Sequence, residues 1–346
     1  MPCPAISELP PPPPGRTGWP LTEETPQLTN VMPDGSPWPR VSIVTPSYNQ
    51  GQFLEETIRS VLLQGYPNLE YLVMDGGSSD ASVDIIRKYE PWLAYWVSER
   101  DRGQAHAINK GLERSTGDLV GWINSDDLLL PQALVRLASA YRQSPNAILL
   151  GDVINFQDGT EDSYLIQQKN VTLRNLVKPW SHAVSFHQPG MYVPRCLYQQ
   201  VGAIDETLRY YFDRDWLCRL LMISAASYLH KPVARFRLHP ASKTVGETSL
   251  WFPEYSTVMR RYWDQVLGLD RDLAEADLET IQAAFCLGVT QLDRAKGRKH
   301  LQAAFRRDWR ALFWPKVWGL CLMTVTPVGL LRMARAMLAR RRNVVV

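Results

Sequence analysis

At 346 residues the chain is longer than one small domain, and its 45% apolar and 21% charged content excludes wholesale disorder. The formal charge of +3 says little by itself, but residues 309–346 hold seven Lys/Arg and no Asp/Glu, so an acidic body precedes a basic, apolar end. Five scattered cysteines without a C-x-x-C pair exclude a disulfide framework and a zinc ribbon. No charged stretch followed by an apolar run opens the sequence, so the expected location is the cytosol.

Residues 1–40 hold 12 of the 25 prolines and no apolar period, which predicts a flexible, solvated leader. Val41–Thr45 reads as a buried strand stopped by Pro46, and residues 52–63 place Phe53, Leu54, Ile58, Val61 and Leu62 at helical spacing. Leu69–Met74 is a second strand, followed by a helix capped by Ser79 or Asp80 and running to Tyr89. Leu93–Val97, a helix over Gln104–Arg114 and the strand Asp118–Ile123 continue the alternation, and Pro131 opens the next helix. Residues 147–245 predict a mixed second half, with strands at Ile148–Val153, Gly190–Val193 and Tyr228–Leu238 and a helix at Asp213–Ile223. Residues 252–312 read as helical.

Strands alternating with helices predict an α/β fold, a mostly parallel sheet with helices on both faces. Ligands of such sheets bind beyond the carboxyl ends of the strands. Thr45 and Tyr48, Asp75, Asp101, and the pair Asp126-Asp127 follow successive strands there. Two adjacent carboxylates repel unless a cation relieves them, and hard oxygen ligands suit Mg²⁺ or Mn²⁺. The competing account is that the pair caps the turn before Pro131.

Four segments in order are V-S-I-V-T-P-S-Y-N from Val41, V-M-D-G-G-S-S-D from Val73, S-E-R-D-R-G-Q-A-H-A-I-N-K-G from Ser98 and G-W-I-N-S-D-D from Gly121. Together they resemble the nucleotide-sugar half of family-two glycosyltransferases, which have the GT-A (Rossmann-like) fold and invert the sugar anomer. The resemblance implies that Asp75 accepts from the base of the nucleotide, with Tyr48 stacking on it and Thr45 nearby. It also puts Asp101 in the nucleotide pocket, Asp126 at the ribose and metal, and Asp127 on the metal directly; Asn109 and Lys110 follow on the third helix. Many relatives carry Asp where this chain has Asn124.

The resemblance extends to about residue 245. The segment from Asp205 to Arg219 resembles the acceptor side, where Asp213 by position is the general base that deprotonates the attacking hydroxyl. Asp215 is the alternative base, and two acids favoured by the helix dipole are the bland one. In the segment Arg235–Thr244, His239 is implied to complete the metal shell, with Ser242 and Lys243 near the diphosphate. Gly190 aligns with a loop near the donor sugar, and Trp180, His182 and His187 are candidates for the acceptor groove.

Leu312–Leu331 approaches the length of a bilayer span but contains Pro315, Lys316 and Pro327. Trp309, Trp314 and Trp318 with Arg332, Arg335 and Arg340–Arg342 suit an interfacial anchor on anionic lipid, a peripheral contact on the cytoplasmic face. The expected organisation is therefore a leader (1–40), a GT-A domain (41–245, divided into 41–131 and 132–245), a helical C-terminal extension (246–308) and a membrane-associating tail (309–346). The expected activity is transfer from a nucleoside-diphosphate sugar to a glycan or lipid-linked acceptor in surface polysaccharide or glycolipid assembly. A catalytically inactive sugar-nucleotide-binding module is the alternative. A nucleotidyltransferase would need a glycine- and arginine-rich loop, which Thr45–Gly51 is not, and no nucleic-acid recognition motif accompanies the basic tail.

Overall fold

The computed structural model describes residues 1–160, 162–177, 184–243, 250–266, 268–288 and 293–326. The chain forms two compact units, one of residues 1–172 with 185–246 and one of residues 173–184 with 247–346.

The first unit is built on one sheet. Its strands are β1 (Val41–Ser47), β2 (Leu69–Asp75), β3 (Tyr95–Ser98), β4 (Leu119–Trp122), β5 (Leu128–Leu129), β6 (Ile148–Gln157), β7 (Ser163–Ile166), β8 (Met191–Pro194) and β9 (Ala226–Leu238). They lie in the order β3-β2-β1-β4-β8-β6-β9-β5, with β7 paired to β6. The first four are parallel, and β8 enters antiparallel to β4, which begins the mixed half.

The connecting helices are α1 (Gly51–Leu62), α2 (Ser82–Tyr89), α3 (Gln104–Arg114) and α4 (Ala133–Gln143). Ile43, Tyr71 and Val73 share a core with Leu54, Ile58, Val61 and Ile86, so α1 and α2 cover one face. On the other face α3 packs on β1 closely enough that a Cβ at Gly111 would collide with Val44. The chain thus turns outward in opposite directions from β1 and β4, and the crevice opens between their carboxyl ends.

The leader departs from its prediction. Cys3, Leu9, Leu21 and Trp38 are buried, the amide of Thr25 donates to the carbonyl of Leu63, and the Trp19 indole donates to that of Leu129. The Arg59 guanidinium, itself fully buried, donates to the carbonyls of Pro10, Pro20 and Leu21. A buried cation needs acceptors, and a proline-rich segment, poor in N–H groups, presents mainly carbonyls.

The second unit is helical: α5 (Leu173–Leu176), α8 (Trp251–Arg261), α9 (Arg271–Gly288), α10 (Arg294–Arg307) and α11 (Pro315–Val325). The remaining helices, α6 (Arg195–Val201) and α7 (Phe212–Leu221), belong to the first unit. Ala283, Leu287, Leu301, Val317 and Leu320 form one core of the second unit. The predicted tail is therefore not a separate element up to Thr326, because α11 packs with the helical extension. Residues 327–346, including the terminal arginines, lie outside the described residues.

Candidate active site

Three loops at the carboxyl ends of β1, β2 and β3 are laced together. Ser78 Oγ accepts from the amide of Asn49, Asn49 Oδ1 accepts from that of Ser79, and Asp80 accepts from the first amides of both α1 and α2, those of Gly51 and Ser82. Asp80 therefore caps two helices, satisfying amides that have no partner within either helix. Tyr48, at the tip of the first loop, is 61% exposed and presents a free aromatic face.

Asp75 is buried at the end of β2, and its carboxylate accepts from the amides of Gly77 and Ser78 and the hydroxyls of Ser78 and Ser98. Ser47 lies opposite Asp75 in register, and its buried hydroxyl has no hydrogen-bond partner among the described residues. Asp101 packs against Gly76 so closely that a Cβ there would meet its carboxylate, and it accepts from the amide of Gly103. Thr45 is a correction: its hydroxyl is fully buried against that of Tyr71 at 3.0 Å, inside the α1–α2 side of the sheet rather than on the crevice. Asn109 is structural, clasping Ile204 through both amide atoms, and Lys110 pairs with Glu99.

The two acids after β4 differ sharply. Asp127 is fully buried, with Oδ1 accepting from the Arg237 amide at 3.0 Å and Oδ2 from the Asn124 side chain at 3.0 Å. Burial, and then the charge of Asp126, push its carboxyl well above the ordinary range. Both oxygens of Asp127, the residue expected to ligate the metal directly, are thus turned to protein donors. Asp126 is the accessible acid, and its Oδ2 stands 3.0 Å from Nε2 of His239. Two adjacent ligands at about 2.1 Å on an octahedral ion are themselves about 3 Å apart. An oxygen with an imidazole nitrogen is also a donor set that Mn²⁺ accepts. No group of three His, Cys, Asp or Glu converges among the described residues, so the remaining positions would fall to diphosphate and water.

Arg237 holds this arrangement, and the sequence reading passed over it. Its Nε donates to the Asp126 carbonyl, its amide to Asp127, and its guanidinium pairs with Glu56 and Asp158 while lying over the ring of Phe53. Phe53 also packs against His239, with ring centroids 4.7 Å apart. The only sequence signal was the alternation Arg235-Phe-Arg-Leu-His239, which puts Arg237 on the same strand face as His239.

A chain of amide contacts runs across the crevice. Lys243 Nζ donates to Gln104, Gln104 to Asn124, and Asn124 to Asp127. Lys243 also lies over Phe212 at the start of α7. Asp213 follows, half-buried, its carboxyl raised by burial and lowered in part by the charges of Arg214 and Lys243. Asp215 instead is buried in an ion pair with Arg219, 3.1 Å away. Gly190 is required by a close approach to the carbonyl of Gly151, so its role is packing. His187 is held neutral by burial and the charge of Arg214, its pKa lowered to about 4. Trp180 and His182 lie outside the described residues.

Residues 42–198 match the family model described as glycosyl transferase family 2. An uncharacterized glycosyltransferase of Rickettsia typhi is 29% identical over 221 residues, 60% of this chain and 66% of the relative. TuaG of Bacillus subtilis, a glycosyltransferase assigned by name to teichuronic acid biosynthesis, is 33% identical over 145 residues, 40% of this chain and 58% of its own. The chain thus spans just under two thirds of the length of such curated relatives. Residues 1–349 of Staphylococcus aureus TarS, solved with UDP-GlcNAc, are 17% identical with a TM-score of 0.55, over 78% of this chain and 81% of that one. That likeness shows a shared GT-A fold. The match to glycosyl transferase family 2 thus falls on residues 42–198, which carry the parallel half of the sheet and the crevice at its switch point.

Proposed function

We propose that the chain transfers a sugar from a nucleoside-diphosphate donor to an acceptor hydroxyl, with inversion and with Mg²⁺ or Mn²⁺. The observation that carries this reading is the Asp126–His239 pair at the crevice, Asp126 partly exposed and His239 buried beside it, with Asp213 at the start of α7. Tyr48, Asp75, Ser47 and Asp101 frame the place for the nucleotide base and ribose. Asp126 and His239 would hold the metal, which supplies charge neutralisation on the leaving diphosphate. Asp213 is the better base of its pair because Asp215 is committed to Arg219; it takes the acceptor proton as the new bond forms.

The teichuronic acid assignment of TuaG and the basic, apolar C-terminal region both support a surface-polysaccharide or glycolipid acceptor, reached from a peripheral position on the cytoplasmic face of a membrane. The TarS complexes make UDP the first nucleotide to try. Calorimetric titration with UDP, GDP, dTDP and ADP, with and without Mn²⁺, tests the donor site on wild type and Asp126→Ala. Metal-dependent binding of one nucleotide, lost in the variant, is expected; absence of binding in every condition overturns the reading.

A further inference from the structure

We infer that the exposed apolar face running from Trp309 to Val325 is a docking surface for an anionic lipid bilayer, occupied by the acyl–headgroup boundary. Helix α11 uses one side for its own core: Val317 and Leu320 are buried there. A second side, at i, i+4 and i+7, presents Trp318, Leu322 and Val325 at 60, 62 and 69% exposure. Immediately before it, Trp309 and Phe313 are 65 and 71% exposed and pack edge to face on one another. A helix apolar on more than its core-facing side has a second apolar environment to meet.

Length decides how it meets it. Eleven residues rise about 16 Å, half of a hydrocarbon core of about 30 Å, and no helix among the described residues is long and apolar enough to cross a membrane. The face therefore lies in the interface plane, where Trp is favoured. Charge selects the occupant: residues 294–346 carry thirteen Lys/Arg and a single acid, Asp308, and Asp308 is spent on Arg310. Arg306 and Arg307, exposed at the end of α10, stand next to the aromatic pair in the chain. Basic residues flanking a short aromatic and aliphatic face suit a negatively charged leaflet. Trp314, expected to belong to the anchor, instead packs into the helical core.

This deepens the peripheral contact proposed above by naming the surface that makes it, and vesicle binding needs neither donor nor acceptor, so its outcome is independent of the transferase reading. The full chain and Trp318→Glu/Leu322→Glu are sedimented with vesicles of 30% phosphatidylglycerol in phosphatidylethanolamine, and with pure phosphatidylcholine, at 0.1 and 1 M NaCl. The substituted side chains are exposed, and a matching melting temperature verifies folding. Wild type binding the anionic vesicles, weakened at high salt and by at least tenfold in the variant, is expected. Equal binding by the variant overturns the face while leaving a contact elsewhere in the chain. No vesicle binding by wild type overturns both the face and the peripheral contact. A wild-type dimer that the variant dissolves assigns the face to a second copy.

Discussion

The imidazole of His239 stands 3.0 Å from the carboxylate of Asp126, although 113 residues separate them in the chain. The β9 strand brings them together, since Arg237 on it bonds the Asp126 carbonyl and the Asp127 side chain through its own side chain and amide. Asp126 and Asp127, adjacent in sequence, therefore answer differently to substitution. Asp126→Asn is expected to abolish metal-dependent nucleotide binding with little change in melting temperature. Asp127→Ala leaves the Arg237 amide and the Asn124 side chain without acceptors, at about 1–3 kcal/mol each, and is expected to lower the melting temperature clearly. Thermal melts beside calorimetry separate the two; the reverse pattern would restore Asp127 as the ligand.

Asp213→Asn is expected to lower turnover by about 10²–10⁴-fold, the range for a lost general base, while nucleotide binding persists. The wild-type pH profile gives an independent reading. A base must be ionised, and burial raises this carboxyl above its ordinary value, so kcat/KM falls as pH drops through that raised value. Lys243 opposes the shift, so Lys243→Met moves the acidic limb to higher pH. A limb unchanged in Lys243→Met and retained in Asp213→Asn belongs to another group.

The parallel half of the fold was legible because each strand there is a short apolar run closed by a polar turn, and period and length suffice to place it. The loops that carry Tyr48, Asp75 and Asp101 followed from strand ends alone. What the sequence concealed were contacts made at long range. Thr45 sits at a strand end like a ligand residue, yet the alternation of the strand turns it to Tyr71. Asp126 and Asp127 are chemically identical in the sequence, and only the approach of β9 decides which is enclosed. The leader has no period because, apart from one 3-10 turn at Ile6–Glu8, it follows the surface of α1 and the sheet edge.

Arg237 is the residue whose loss should cost most. Its partner Glu56 is buried, and removing one member of a buried pair costs about 3–5 kcal/mol. Glu56 also pairs with Arg16 of the leader, which remains in Arg237→Met and should hold the loss near the low end of that range. Chemical denaturation of Arg237→Met, Arg16→Ala and the double variant checks this. A double-variant loss equal to the sum of the singles shows that the two arginines do not share Glu56.

The leader makes the last test. Arg59 is buried with three leader carbonyls on its guanidinium and the Tyr89 hydroxyl beside them. Arg59→Met keeps the aliphatic bulk and removes every donor, so Pro10, Pro20 and Leu21 lose their anchor while α1 keeps its packing. Each hydrogen bond to a charged donor contributes about 1.5–3 kcal/mol, enough in sum to free a segment whose regular structure is one 3-10 turn and one isolated bridge. Limited proteolysis is expected to leave residues 1–40 intact in wild type and to cut them within residues 10–25 in Arg59→Met, with the sheet domain persisting. Equal resistance in both would mean that the buried side chains of Cys3, Leu9, Leu21 and Trp38 retain the leader alone. Rapid cleavage of the wild type would return it to the flexible, solvated leader that its composition predicts.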